Sequence, residues 1–164
     1  MSQAEAWQRL RMVLIAKAAL ALAFLAIVWL TMPNPVSLSA AALDLALLAP
    51  IAWLGKRHPQ PATYLLIAQT ALFLTPRQFV QGYVNGVNWV IYVALPMIAV
   101  FVLRSRRAAW SGLAITLLVA LPAMLSAALV LPPAITRADV LTLIAFVGGV
   151  MTALALVLSS SMRG

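Results

Sequence analysis

Apolar residues fall into six long runs along this chain, each about long enough to cross a hydrocarbon layer, and polar residues gather between them. The first run predicts a helix over about 10–32, stopped by Pro33-Asn34-Pro35, which cannot continue one. The second covers about 37–55 and ends at Lys56-Arg57-His58-Pro59. The third opens at Gln60-Pro61, runs over about 61–75, and stops before Pro76. The remaining runs lie at about 87–103, 108–131 and 138–162, with Pro132-Pro133 closing the fifth. Residues 76–86 make the longest outer connection, predicted to lie along an interface. Continuous runs disfavour membrane strands, whose polarity alternates over about ten residues. The predicted fold class is all-α: one polytopic six-transmembrane-helix bundle over 1–164.

Charge orients this threading. Of eleven basic residues, nine fall on one side: Arg9, Arg11 and Lys17; Lys56 and Arg57; Arg104, Arg106 and Arg107; and Arg163. Only Arg77 and Arg137 occupy the alternate connections. Positive residues stay in the cytoplasm, so both termini are predicted inside a bacterial cytoplasmic (inner) membrane. The tryptophans agree: Trp7, Trp53 and Trp110 fall at inner ends of their spans, Trp29 and Trp89 near outer ends. An uncleaved first helix is preferred over a signal peptide, because Leu10 to Ala16 extends the run toward spanning length.

Composition narrows the function classes. The chain is 65% hydrophobic and 9% charged, with a mean hydropathy of +1.04, so six spans and short connections leave no room for a soluble catalytic domain. The formal net charge of +8 lies in loops beside apolar spans, where orientation and anionic headgroups account for it, and no nucleic-acid partner is expected. The absence of cysteine removes disulfides, thiolate metal sites and thiol catalysis. Pro50, Pro96 and Pro122 interrupt spans and are positioned to kink them. The spacings Ala19-x-x-x-Ala23 and Ala42-x-x-x-Ala46 suit close helix approach, with packing inside the chain preferred over a dimer motif.

Asp44 is the one acidic residue deep inside a predicted span, ~10 Å below its outer end. An ionisable group at such depth is expensive and marks a candidate functional site. Equal depth in other spans gives Gln69, Tyr92, Ser126 and Thr142, with Asn88 one turn above Tyr92 on the same face. These six residues define either a ligand pocket open to the outside or a structural polar network. Lys17 is expected to snorkel to headgroups about two turns away, and its depth argues against a direct pair with Asp44. Arg137 is close enough to Asp139 for a local surface pair. His58 is a loop residue, and one histidine cannot build a zinc site, so no metal or cofactor is predicted. No nucleophile with a histidine, carboxylate pair or phosphate loop points to an enzyme.

From Val84-Asn85-Gly86 through Pro96 to Arg104-Ser105-Arg106-Arg107-Ala108-Ala109-Trp110, the chain resembles the fourth and fifth spans of the six-helix amino-terminal membrane input domains of bacterial histidine kinases and diguanylate cyclases. The resemblance extends to the topology and the Pro-Pro turn after the fifth run, and it implies a sensory role. Those domains continue into an output domain, whereas this sequence stops at Gly164, as an isolated input module or a likeness of architecture alone. The implied ligand would shift the sixth span, in which Gly148-Gly149 offers a flexing point. The expected function is a non-enzymatic signal-input module binding a small ligand or lipid. Its partners would be membrane lipids and other membrane helices, in a homodimer or hetero-complex. The alternatives are an accessory or assembly subunit of a larger membrane complex, and a small-solute binding or transport component.

Overall fold

The computed structural model describes residues 2–31, 35–80 and 86–130, excepting a number of side chains, chiefly 75–80, 86–93 and 122–130. Every element among the described residues is a helix: α1 (Gln3–Thr31), α2 (Pro35–Ala46), α3 (Leu48–Arg57), α4 (Pro59–Val80), α5 (Gly86–Leu103) and α6 (Arg106–Val130). Because α2 and α3 meet at the single residue Leu47, the six segments form five rods. Two stretches, Gln3–Ile27 and Leu38–Arg57, are long and apolar enough to cross a membrane. The sixth predicted span, 138–162, lies outside the described residues. The chain divides into two compact units, Met1–Leu66 and Ile67–Gly164, with the boundary inside α4.

In the first unit, α1 begins seven residues before the hydropathy-based start at Leu10. Ser2-Gln3-Ala4-Glu5 is a capping box. The Glu5 amide donates to Ser2 Oγ (3.2 Å), and the Ser2 amide donates to Glu5 Oε2 (3.1 Å). This reciprocal pairing satisfies helix-end donors and lets helix form through a stretch that is not yet apolar.

The second predicted span is broken at Leu47. Pro50 has no amide hydrogen, and its ring meets the carbonyl four residues earlier, at Ala46, where α2 ends. The break is slight: Leu47 keeps helical angles (φ −69°, ψ −15°), and its amide still donates to the Leu43 carbonyl. The same chemistry does not end α4, so the expected stop before Pro76 is corrected. The helix runs through Pro76 to Val80, because a single proline forfeits one hydrogen bond and can kink a helix without terminating it. Pro96 and Pro122 likewise remain inside continuous helices.

The first helix packs antiparallel to α2 and α3. Ala6, Leu10 and Leu14 on α1 are buried, as are Ala41, Asp44, Leu48, Ile51 and Gly55 on the facing rod. Spacings of three and four residues place each set on one helical face. At Gly55 an added Cβ would stand 2.8 Å from both Leu10 Cδ2 and Trp7 Cζ3, so the missing side chain lets the helices approach. Gln3 Nε2 donates to the Arg57 carbonyl and ties the two ends together. The expectation that Ala19, Ala23, Ala42 and Ala46 pack inside the chain is overturned: all four are exposed. Close approach falls instead at Gly55, and the small residues buried on the same stripes are Ala6 and Ala41.

In the second unit, α5 and α6 form an antiparallel hairpin through Arg104-Ser105. Arg104 takes a left-handed conformation (φ 45°), and its amide donates to the Val100 carbonyl (2.8 Å), closing α5. Ser105 then caps α6, its Oγ accepting from the Ala108 amide (3.1 Å). Leu95, Ala99 and Val102 are buried on α5, and Ala108, Ala109 and Leu113 on α6. A Cβ on Gly112 would lie 2.9 Å from Ala99 Cβ and 3.3 Å from Pro96 Cα.

These two glycines give a comparative prediction. A methyl at Gly55 meets ends of side chains that can turn aside, whereas one at Gly112 meets a methyl and backbone on α5. Replacing a helical glycine by alanine gains about 1 kcal/mol of propensity, and overpacking removes about 1–3 kcal/mol. Gly55→Ala is therefore expected to leave stability near its starting value and Gly112→Ala to lower it by about 1 kcal/mol, as read by thermal loss of the helical circular-dichroism signal in detergent.

Candidate functional site

Lys17 has fourteen residues of α1 on either side of it, since the helix runs from Gln3 to Thr31. Asp44 lies inside the rod formed by α2 and α3, Pro35–Arg57. The stretches around both positions are apolar. Lys17 Nζ stands 3.1 Å from Asp44 Oδ1, with side-chain exposures of 16% and 12%. The expectation that depth keeps these residues apart is thus corrected.

The capping box moves the start of α1 outward, so Lys17 stands at mid-helix and not near an end. Helical facing brings the pair together. Lys17 continues the stripe of Leu10 and Leu14, at the next three-residue step, while Asp44 continues that of Leu48, Ile51 and Gly55. Gln3 with Arg57, Leu10 with Gly55 and Lys17 with Asp44 follow one antiparallel register, residue numbers summing to about 60–65. By sequence count alone, a reversal centred on residue 34 sets residue 17 level with residue 51, seven residues or nearly two turns from Asp44, so the pairing was not legible in the sequence.

The other expected site residues are distributed differently. Gln69 is buried in α4, at 6% exposure, and belongs to the second unit. Asn88 and Tyr92 lie on α5 and Ser126 on α6, with their side chains outside the described residues. Thr142, Arg137 and Asp139 lie outside the described residues altogether. The structure therefore joins Asp44 to Lys17 and describes no meeting of the six-residue polar layer. Two further buried polar side chains, Thr63 and Thr116, were not singled out by depth. Each hydroxyl donates to the carbonyl four residues earlier, at Pro59 (2.7 Å) and Gly112 (2.8 Å). These hydroxyls are satisfied within their own helices.

His58 is exposed at the end of α3, its amide donating to the Leu54 carbonyl (2.7 Å). No group of three His, Asp or Glu side chains that could hold a metal ion occurs among the described residues. No protein-family model, curated protein or solved structure matches the chain.

The pair gives this site a chemistry different from that of a lone carboxylate. A free Asp44 would attract a cation directly, whereas a paired one must exchange Lys17 for an incoming amine, or surrender Lys17 to an incoming anion. Breaking such a pair from one side leaves a buried charge uncompensated, at about 3–5 kcal/mol. Lys17→Ala or Asp44→Ala alone is expected to destabilise the α1/α2/α3 hairpin by about that amount, and the exchanged pair Lys17→Asp with Asp44→Lys to recover most of it. Cross-linking yield between cysteines placed at Leu14 and Leu48, facing positions of the same register, measures both effects.

Proposed function

We propose that this chain is a non-enzymatic integral protein of the bacterial cytoplasmic membrane, six helices with both termini inside, that acts as a signal-input module for a small ligand or lipid. The observation that carries the reading is the Lys17–Asp44 pair midway along apolar helices. A lone lysine or aspartate at the centre of a membrane helix costs about 2.5–3.5 kcal/mol. The Coulomb attraction of charges at this separation is on the order of 5 kcal/mol at an effective dielectric of ~20, so the pair is near balance where either charge alone is not.

Near balance is the condition a switch needs. A ligand that competes for either charge changes which arrangement of α1 against α2 and α3 is favoured, and it shifts the population by its differential affinity. Asp44 is the proposed ligand contact of the first unit, and Gln69, Asn88, Tyr92, Ser126 and Thr142 are proposed polar positions of the second. The resemblance to kinase and cyclase input domains supports the same role.

The accessory-subunit reading is favoured by one observation. Ala19, Ala23, Ala42 and Ala46 are exposed, and small residues on outer faces admit partner helices closely. Native mass spectrometry of the protein released gently from its own membrane separates the two. A lone chain or homodimer carrying a small ligand, lost on Asp44→Asn, is expected for the input module; stoichiometric partner chains with no ligand would support the accessory subunit. Reporter fusions are expected to place the carboxyl end in the cytoplasm, and an external carboxyl end would overturn the six-span arrangement.

A further inference from the structure

We infer that the end of the first unit where α1 begins and α3 finishes binds the phosphate of anionic lipid headgroups, a site that rests on the membrane reading above. Arg9, Arg11, Lys56 and Arg57 all belong to the two helix segments that meet there. The hydrogen bond from Gln3 to the Arg57 carbonyl sets their relative heights. Counted from Gln3, Arg9 and Arg11 stand six and eight residues along α1, or ~9 and ~12 Å in from the level of Arg57. That spread is comparable with the ~10 Å screening length in about 0.1 M salt, so the cations add to one positive potential that favours anionic headgroups.

Glu5 is the acidic residue of these two segments; it lies one turn before Arg9 on α1 and offsets charge there, leaving Arg11, Lys56 and Arg57 in excess. Arg11, Lys56 and Arg57 are exposed. The Arg57 guanidinium lies 5.4 Å from the centroid of the exposed Trp53 ring, and Trp7 packs beside Gly55 at the same end. Tryptophan with basic residues matches the boundary between headgroups and acyl chains. A free phosphate would use the cations but not the exposed indole, and this favours a lipid as the source of the phosphate.

The test uses the full chain purified in a neutral detergent and titrated with phosphatidylglycerol or phosphatidylcholine, with bound lipid counted by native mass spectrometry. Each basic residue near an anionic surface contributes about fivefold in affinity. Lys56→Gln/Arg57→Gln is therefore expected to weaken phosphatidylglycerol binding by about 25-fold and to leave phosphatidylcholine binding unchanged, at an unaltered helical signal. The charge-conserving Lys56→Arg/Arg57→Lys is expected to keep the preference. Equal uptake of the two lipids by the wild-type chain, or a neutralised variant that binds phosphatidylglycerol as the wild type does, overturns the site while leaving membrane residence intact. Displacement of phosphatidylglycerol by equimolar inorganic phosphate overturns the lipid assignment. Release of the protein from its own membrane by alkaline carbonate, with uptake of neither lipid, overturns the membrane reading itself.

Discussion

The packing of alanine- and leucine-rich helices is permissive, because apolar contacts have no direction and one turn of sliding replaces one methyl group by another. The ion pair between Lys17 and Asp44 is directional. A slide of one helical turn, ~5.4 Å, would move the ammonium away from a carboxylate that now stands at 3.1 Å. Buried ionic groups have their best-attested use in setting register of this kind. The other specific contacts of the hairpin, Gln3 on the Arg57 carbonyl and the close approach over Gly55, obey the same register. They act at the polar end, and the pair acts at mid-helix.

The second hairpin reaches an antiparallel arrangement without a buried charge. Its turn is two residues long, and Arg104 in a left-handed conformation followed by the Ser105 cap reverses the chain between α5 and α6. With so short a turn, register follows from the connection, and Gly112 allows α6 to settle on Ala99 and Pro96. The contrast suits the proposed switch in the first hairpin, where an exchangeable ion pair can respond to a competing ligand.

Much of the helical content was legible in the sequence. The predicted bounds of the fourth and fifth runs lie within two residues of α5 and α6, because the polar Arg104-Ser105-Arg106-Arg107 segment interrupts two continuous apolar runs. Hydropathy misplaced the start of α1, since a capping box stabilises a helix end by hydrogen bonds that carry no apolar signature. The second run, about 37–55, matches the apolar stretch Leu38–Arg57, and Pro50, read as an interruption of that run, marks the slight break at Leu47.

Asp44 was recognisable as a candidate site from its type and depth alone, because a carboxylate in an apolar run is costly to keep and must find a partner or a cavity. The sequence by itself thus determined the helical class, the apolar stretches and the carboxylate that had to find a partner or a cavity, all of which follow from local composition. Tertiary structure decided that Lys17 is its partner and that Ala19, Ala23, Ala42 and Ala46 face outward. Both depend on the rotation of one helix about its axis relative to another. In a helix as uniformly apolar as α1, no polar face declares that rotation in advance.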